Sequence, residues 1–496
     1  MAVESFEVST TGEFGDLLNR SANDRSLVVG VYTSAYFEYY RMYPETLQGY
    51  VESDSRKVLG HIGDALGPGT EIVWPGMVTT MDEADEAGRT FKKKSIDMLV
   101  FIMFTYTVDA ISLQCLKHVA GIPFVILLRQ SHRDIDFRSD YEQTLRNSAM
   151  ISASQLTGAF RKMGRYSNYE VLVGTDDDEE MYRSLGRYAK ALDTFLGLRD
   201  STFGLIGHVF RGMYDHEFDR TSIAGSLGPQ VIDIQVSHFL ELWEAVTEED
   251  IGRFVEEISW IRSYRIEGIG EEDFRKECRF AVAYRRLVER FRLDAVCYLG
   301  QHFVERKTGC TGYLANIVFG REKKVMTNTE GDINGLIMMY IMNKLTGQTP
   351  LFGEWGEFGI AENAMQIMMH GYADLDLAKD PSYVRITGTP ENWGFTGSGF
   401  SVEFTAKPGM VTIGHFIDDK EQGWRMLISR AESMDVAASI PCMDVTMVMK
   451  TERPIKEYMA DILKRGFDHH AIVCYGDVTW ELSLIADFMG IAKDIL

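Results

Sequence analysis

The chain has 496 residues, of which 45% are hydrophobic and 25% charged, the balance of an ordinary folded protein with several domains. Its net charge of −22 comes from 73 acidic and 51 basic residues, which argues against nucleic acid or an anionic membrane surface as a partner. The six cysteines include no Cys-x-x-Cys pair, so we expect buried free thiols. The acidic N-terminus lacks a signal-peptide pattern, and the most apolar stretch, 98–106, is too short to cross a bilayer. We therefore expect a soluble, cytoplasmic protein.

The first part of the chain alternates strand-like and helix-like patterns. Continuous apolar runs bounded by helical patterns indicate a parallel sheet that is covered on both faces. A second series of the same kind begins near Val171 and contains a helical pattern over 181–196. The strand-like runs are 26–32, 70–74, 96–103 and 122–128 in the first series, and 203–210, 230–236 and 293–298 in the second.

After about residue 350 the pattern changes to short alternating segments separated by turn residues, which is typical of an antiparallel sheet or a small barrel. The predicted fold class is α/β, with two doubly wound (Rossmann-like) α/β domains followed by a mainly antiparallel β domain. We place these domains at residues 1–172, 173–349 and 350–496.

The densest group of polar residues on an apolar background begins at Glu330 and Asp332, just before an apolar helix predicted over 333–345. The helix dipole favours an acid at this position, so an N-terminal cap is the alternative role for either residue. Glu354 and Glu357 follow among aromatic residues and glycines. A carboxylate in such a setting is costly to desolvate unless it is paired or bound to a metal.

Two histidine elements complete the candidate site. His370 ends a nearly apolar run and is either a metal ligand or a hydrogen-bonded core residue. His469 and His470 precede an apolar strand, and because adjacent strand residues point to opposite sides, we expect only one of them to be a ligand. Two glutamates with one or two histidines suit Mn²⁺ or a similar divalent ion, and the absence of clustered cysteines excludes a thiolate zinc site.

This set of residues is suited to chemistry on a sugar. A divalent ion can polarise the carbonyl and the neighbouring hydroxyl of a sugar and stabilise an enediolate. Glu330 and Glu354 could then share the acid and base roles that move protons between carbons and between oxygens. The predicted reaction is the interconversion of an aldose and its ketose.

The same segments resemble the L-arabinose isomerase and L-fucose isomerase superfamily. Glu330-Gly-Asp332 is similar to the Gly-Glu-Gly-Asp helix start of that family, and the run around Glu354 is similar to its second catalytic segment. The resemblance implies metal ligation by Glu330, Glu354, His370 and His470, with both glutamates catalytic. It also implies Mn²⁺, three domains, and a trimer or hexamer in which a neighbouring subunit completes each active site.

The resemblance extends to the positions where the rest of the sugar should be bound. Gly121 to Gln130 occupies the place of a substrate-side strand end, and Phe210 to Met213 resembles a turn of the central domain. Several residues there differ from those of the L-arabinose enzymes. The resemblance therefore supports the isomerisation of a pentose or a 6-deoxyhexose more strongly than it supports any particular sugar as the substrate. The predicted substrate contacts are Gln130, Arg129, Met213, Glu357 and His469.

Two alternatives remain open from the sequence. The same fold could act on a derivatised sugar as an epimerase or a hydrolase, or it could be a non-catalytic sugar-binding protein. A Rossmann-type dehydrogenase is disfavoured, because no Gly-x-Gly-x-x-Gly follows an early strand.

Overall fold

A computed structural model describes most of the chain, in the ranges 25–135, 137–298, 303–369, 372–389, 399–437 and 445–496. The chain folds as two compact units, one ending at Asp193 and the other running from Thr194 to Leu496. No helix within these ranges is both long and apolar enough to span a membrane. The cysteines in the described ranges are free and buried, which confirms that prediction for all but Cys442, which lies outside them.

The first unit contains a parallel sheet with helices packed against it. All six residues of its strand Met98–Met103 are buried, as expected for a strand that is covered on both faces. The strands are β1 (Val28–Ser34), β2 (Glu71–Val73), β3 (Met77–Val78), β4 (Met98–Met103), β5 (Phe124–Gln130) and β6 (Tyr169–Thr175). Their order is β2-β1-β4-β5-β6, and β3 also pairs with β1. The helices are α1 (Phe37–Met42), α2 (Leu47–Leu66), α3 (Met81–Lys94), α4 (Asp109–Leu116), α5 (Tyr141–Arg146), α6 (Ala149–Met163) and α7 (Glu179–Arg199), the last of which runs on into the second unit.

Strand β6 differs from the sequence prediction. We expected the run near Val171 to open the second αβ series, but β6 pairs in parallel with β5 along its whole length, up to Gln130 opposite Thr175. An apolar run identifies a strand without identifying the sheet that it joins. The predicted boundary at residue 172 therefore falls within a strand of the first sheet, and the division into three domains stays a prediction.

The second unit begins with another parallel sheet. Its strands are β7 (Thr202–Ile206), β8 (Gln230–Ile234), β10 (Ala295–Tyr298) and β11 (Met326–Thr329), in the order β11-β10-β7-β8. Its helices are α8 (Arg220–Ser226), α9 (Val236–Glu244), α10 (Glu248–Glu257), α11 (Glu271–Phe291), α12 (Phe303–Thr308), α13 (Tyr313–Glu322) and α14 (Ile333–Thr346). In α14 the residues from Ile333 to Asn343 are all buried.

The remaining strands form a mainly antiparallel sheet. They are β9 (Arg265–Glu267), β12 (Leu351–Gly359), β13 (Ala364–Met369), β14 (Arg385–Thr387), β15 (Ser401–Thr405), β16 (Gly409–Asp419), β17 (Gly423–Ser433), β18 (Val445–Thr451), β19 (His470–Tyr475) and β20 (Ala492–Ile495), and the helices α15 (Ile455–Arg465) and α16 (Thr479–Met489) accompany them. Six of these strands follow one another in the order β17-β16-β19-β12-β13-β18, and each pairs with the next in antiparallel fashion. Because β18 also pairs with β17, the six strands close into a ring. The predicted α/β fold class with a mainly antiparallel C-terminal region is confirmed.

Helix α14 connects the two sheets of this unit. It contacts β10 and β11 of the parallel sheet and also β16 and β19 of the antiparallel sheet. The turn that enters α14 therefore lies where the carboxyl end of β11 meets the start of β19.

Candidate metal centre

Glu330 lies in the turn between β11 and α14 and has a left-handed backbone, with φ of 68°. Such a conformation costs a non-glycine residue about 1–3 kcal/mol and is found most often at functional sites. The main-chain N–H of Phe210 donates to the carbonyl oxygen of Glu330 at 2.8 Å. Gly331 follows with φ of 84°, and a Cβ there would lie 2.4 Å from the Cα of Val209. The loop after β7 thus holds Glu330 in place.

Glu354 and His470 are placed by strand pairing. They are direct partners in the antiparallel pair of β12 and β19, so their side chains lie on the same face. The start of β19 is fixed further by Trp355, whose main-chain N–H donates to the carbonyl of His469 and whose indole N–H donates to that of Asp468, both at 3.1 Å. This register determines which imidazole faces Glu354.

These elements bring two carboxylates and two imidazoles together. Glu330 Oε2 lies 3.6 Å from His470 Nε2 and 3.9 Å from His469 Nε2. One ligand atom from each of Glu330, Glu354, His469 and His470 lies within 4.8 Å of all the others. Glu330 and His470 are buried, whereas Glu354 and His469 are half-buried. We call this group the carboxylate site.

Asp332 and His415 support the carboxylate site from the protein interior. Asp332 Oδ2 accepts a hydrogen bond from His470 Nδ1 at 3.0 Å and another from His415 Nε2 at 3.2 Å, and all three side chains are fully buried. His415 Nδ1 donates to the carbonyl of Phe416 at 2.8 Å. Because both nitrogens of His415 face acceptors, its ring is an imidazolium that balances the charge of Asp332.

The pKa shifts follow from these contacts. Burial alone would raise the pKa of Asp332, but the charge of His415 and the hydrogen bonds from His415 and His470 hold it well below its usual value. Burial alone would lower the pKa of His470, but hydrogen bonds to Asp332 and Glu330 raise it to about 9. Burial raises the pKa of Asp468, near His415, to about 7. In the absence of a metal ion, His470 is therefore protonated at neutral pH.

The sequence analysis missed a third imidazole, His216. It ends the 3-10 helix Tyr214–His216 in the loop after β7 and is 1% exposed. Its ring centroid lies 4.5 Å from that of His469 and 4.4 Å from that of His470, and burial lowers its pKa to about 4. The preceding Asp215 accepts a hydrogen bond from His469 Nδ1 at 2.5 Å. The position of this Asp-His pair after a buried strand is a signal that could have found it.

The expectation that His469 and His470 point to opposite sides is wrong. Their ring centroids lie only 4.3 Å apart. Alternation applies to residues within an extended strand, and His469 precedes the first residue of β19. Either ring can therefore reach the carboxylate site.

Asp332, and not Glu330, is the N-terminal cap of α14, and its side chain accepts from the N–H of Gly335 at 2.6 Å.

The other predicted site residues have varied positions. His370 lies outside the described residues. Met213 is half-buried in the loop after β7, and Glu357 is exposed on β12. In the first unit, Gln130 ends β5, and the buried Arg129 makes ion pairs with Asp176 and, at 3.3 Å, with Asp54. The roles of these residues stay predictions.

The chain is similar to curated proteins named "Sulfoquinovose isomerase". It is 24% identical to the protein from Alkalicoccus urumqiensis over 323 residues, which cover 63% of this chain and 69% of the relative. It is 21% identical to the protein from Priestia aryabhattai over 421 residues, covering 83% and 88%, and 20% identical to that from Clostridium sp. (strain MSTE9) over 357 residues, covering 71% and 77%. No family model matches the chain. These relatives support an isomerase activity on a sugar.

Proposed function

We propose that this protein is a divalent-metal-dependent aldose–ketose isomerase that acts on a sugar carrying an anionic substituent, of the sulfoquinovose type. The observation that carries the proposal is the convergence of Glu330, Glu354, His469 and His470, whose ligand atoms lie within 4.8 Å of one another. The names of the relatives support the same reaction class.

The residues of the carboxylate site fit a divalent ion such as Mn²⁺. Carboxylate oxygens and imidazole nitrogens are donors that Mn²⁺ accepts, and a bound ion would replace the proton of His470 as the positive charge beside the buried carboxylate of Glu330. Glu330, Glu354 and His470 would hold the ion, with His469 beside them and the predicted His370 as a further ligand. When bound, the ion polarises the carbonyl and the adjacent hydroxyl of the sugar.

The two glutamates would carry the proton transfers. One carboxylate removes the proton from the carbon next to the carbonyl, which gives an enediolate, and returns it to the neighbouring carbon. The other exchanges a proton between the two oxygens, so that the aldose becomes the ketose without a net change in protons or electrons. Burial keeps Glu330 away from bulk water, which limits the loss of the transferred proton.

A cleft next to the site offers room for the anionic end of the sugar. Its volume is about 700 Å³, and the loop after β7 lines it, including Val209, which packs against Gly331. Arg211 is exposed in this cleft, whereas Arg220 pairs there with Asp233. A guanidinium is a good partner for a sulfonate, and the carboxylate site would repel one. We therefore propose Arg211 as the contact for the anionic group.

We also retain the predicted homo-oligomer and the cytoplasmic location as proposals. In such an oligomer, Gln130 and Arg129 of a neighbouring subunit would lie near the sugar, as the family resemblance implies.

The test is a conversion assay on protein that is stripped of metal by a chelator and then restored with Mn²⁺. Sulfoquinovose, D-glucose, L-arabinose and L-fucose are incubated separately, and NMR follows the formation of the ketose. We expect Mn²⁺-dependent conversion of sulfoquinovose and slower conversion of the uncharged sugars. Folded, Mn²⁺-loaded protein that converts none of them contradicts the proposal, and thermal stabilisation by sulfoquinovose without any product would favour a sugar-binding protein.

Matched variants assign the roles of individual residues. Glu330→Gln and Glu354→Gln should each reduce kcat by about 100-fold or more, because each removes a proton carrier. Glu362→Gln, just after the strand that carries Glu354 and exposed, is the control with the same chemical change. Arg211→Met should raise KM for sulfoquinovose about tenfold or more and leave KM for an uncharged substrate unchanged. An equal effect of Arg211→Met on both sugars would rule out its contact with the anionic group.

A further inference from the structure

His216 is a buried imidazole without a hydrogen-bond partner. Its side chain is fully buried, and neither ring nitrogen makes a hydrogen bond within the described part of the chain. The nearest acidic oxygen, Oδ2 of Asp215, lies 3.9 Å from Nε2. Leaving a buried polar group without a partner costs about 1–3 kcal/mol of stability, so we expect a bound ion or water molecule to contact His216.

The three rings of His216, His469 and His470 form a compact triangle. Their centroids are 4.3–4.5 Å apart, and one nitrogen from each ring lies within 4.8 Å of the other two. Three imidazoles bound to one ion at about 2.1 Å have centroids roughly 4.5 Å apart at octahedral angles and roughly 5.2 Å apart at tetrahedral angles. The triangle therefore has nearly the dimensions of a three-histidine metal site. We call these residues the three-histidine cluster.

Two members of the cluster also have the supporting contacts of metal ligands. A histidine that binds a metal through one nitrogen usually donates the other N–H to a carboxylate. His469 Nδ1 donates to Asp215 at 2.5 Å, and His470 Nδ1 donates to Asp332 at 3.0 Å. In both histidines Nδ1 thus contacts a carboxylate of the second layer, and Nε2 is the nitrogen on the side of Glu330, 3.9 Å from its Oε2 in His469 and 3.6 Å in His470.

We propose that the three-histidine cluster is a second position for a divalent ion, one that prefers borderline ions such as Zn²⁺ or Co²⁺. Imidazole nitrogens bind Zn²⁺ and Co²⁺ more tightly than Mn²⁺, whereas carboxylate oxygens suit Mn²⁺. Because His469 and His470 belong to both groups, an ion in the cluster withdraws them from the carboxylate site. The inference rests on the proposed function for the identity of that site, and it predicts that Zn²⁺ competes with Mn²⁺.

The direct test is X-ray absorption spectroscopy of the full-length protein loaded with one equivalent of Zn²⁺. We expect a first shell that fits three imidazole nitrogens. A shell with two imidazoles or fewer overturns the proposal, and this measurement needs no variant that must fold.

A variant series tests the role of His216. His216→Phe keeps a planar ring in the cluster and removes both nitrogens, and His216→Ala is a second variant in case the larger ring disturbs folding. Either should weaken Zn²⁺ binding by at least about tenfold in competition with a chromophoric chelator. Mn²⁺ affinity, followed by electron paramagnetic resonance, should stay within about twofold of wild type, because the carboxylates remain. His208→Phe, an exposed histidine of the same loop, is the control, and its Zn²⁺ affinity should not change.

The outcomes separate this inference from the proposed function. An unchanged Zn²⁺ affinity in both His216 variants overturns the second ion position, whatever the isomerase activity. An equal loss of Mn²⁺ and Zn²⁺ affinity also overturns it, because His216 would then belong to one common site. A three-imidazole Zn²⁺ shell in a protein that converts no sugar supports the second position and contradicts the proposed function.

Discussion

At the scale of single residues, Asp332 connects helix α14 to two buried histidines beside the carboxylate site. It caps α14 through the N–H of Gly335 and accepts hydrogen bonds from both His470 and His415. The bond from His470 Nδ1 leaves Nε2 of that ring facing Glu330. Asp332 therefore orients a proposed ligand without being one.

Replacing this carboxylate tests that role. In Asp332→Asn the amide oxygen can still cap α14, but the negative charge that holds His470 and His415 is lost. We expect Mn²⁺ affinity to fall about 10–100-fold, measured by electron paramagnetic resonance titration. Stability should also fall, by about 3–5 kcal/mol, because the imidazolium of His415 loses its buried partner. Wild-type Mn²⁺ affinity in the folded variant would contradict the role.

Gly331 tests the turn that holds Glu330. An alanine there has an unfavourable φ of 84° and a Cβ 2.4 Å from the main chain of Val209. We expect Gly331→Ala to lower the free energy of unfolding by about 3 kcal/mol and to weaken Mn²⁺ binding. Gly347→Ala is the matched control, because its φ is 69° and no heavy atom lies within 4 Å of the added Cβ. The control should lose only about 1 kcal/mol, measured by urea unfolding. Equal losses would show that Val209 does not constrain the turn.

At the scale of secondary-structure elements, Glu277 of α11 supplies the cap that α13 lacks. The N-cap of α13 is Gly312, which has no side chain for this role. The fully buried carboxylate of Glu277 accepts from the N–H of Gly312 at 2.9 Å, the N–H of Leu314 at 3.1 Å and the hydroxyl of Thr311 at 3.1 Å. This contact connects two helices that cover the parallel sheet of the second unit.

The pH dependence of stability should report on Glu277. Burial raises the pKa of Glu277 from 4.5 to about 7, despite these hydrogen bonds. The folded state therefore holds the proton more tightly than the unfolded state does. The resulting contribution to the free energy of unfolding, up to about 3 kcal/mol, is present below pH 4.5 and is lost as the pH rises through 7. Urea unfolding of wild type and Glu277→Gln at several pH values measures this loss. The difference in the free energy of unfolding between the two proteins should change between pH 4.5 and 7. Plots of that free energy against pH that run parallel for the two proteins would contradict the assignment.

At the scale of the whole molecule, metal binding should be linked to pH through His470. The pKa of His470 without metal is about 9, so the ring is protonated at pH 7 and must lose a proton to bind an ion. Apparent Mn²⁺ affinity should therefore rise about tenfold per pH unit between pH 7 and 9. Calorimetry at pH 7.5 in buffers with different ionisation enthalpies should detect about one proton released per ion. Binding without proton release would contradict the protonation of His470.

The architecture was largely predictable from local patterns. Helix α14 was predicted over 333–345 and spans Ile333–Thr346, because an apolar run after Asp332 is a local signal. The alternating segments after residue 350 indicated the antiparallel strands for the same reason. The sheet that β6 joins was predicted wrongly, because strand pairing depends on residues far away in the chain.

Sequence alone therefore determined the fold class and drew attention to Glu330, Glu354 and His470, since each carries a polar group in an apolar local setting. Only the tertiary structure decided which groups meet. The loop after β7 places His216 against the start of β19, and Asp332 bonds His415, 83 residues away in sequence. Nothing local distinguishes His415 from an ordinary core residue, and the position of His216 after a buried strand does not say which groups it meets. Their surroundings are set by the packing of α14 between two sheets, which short-range sequence patterns do not encode.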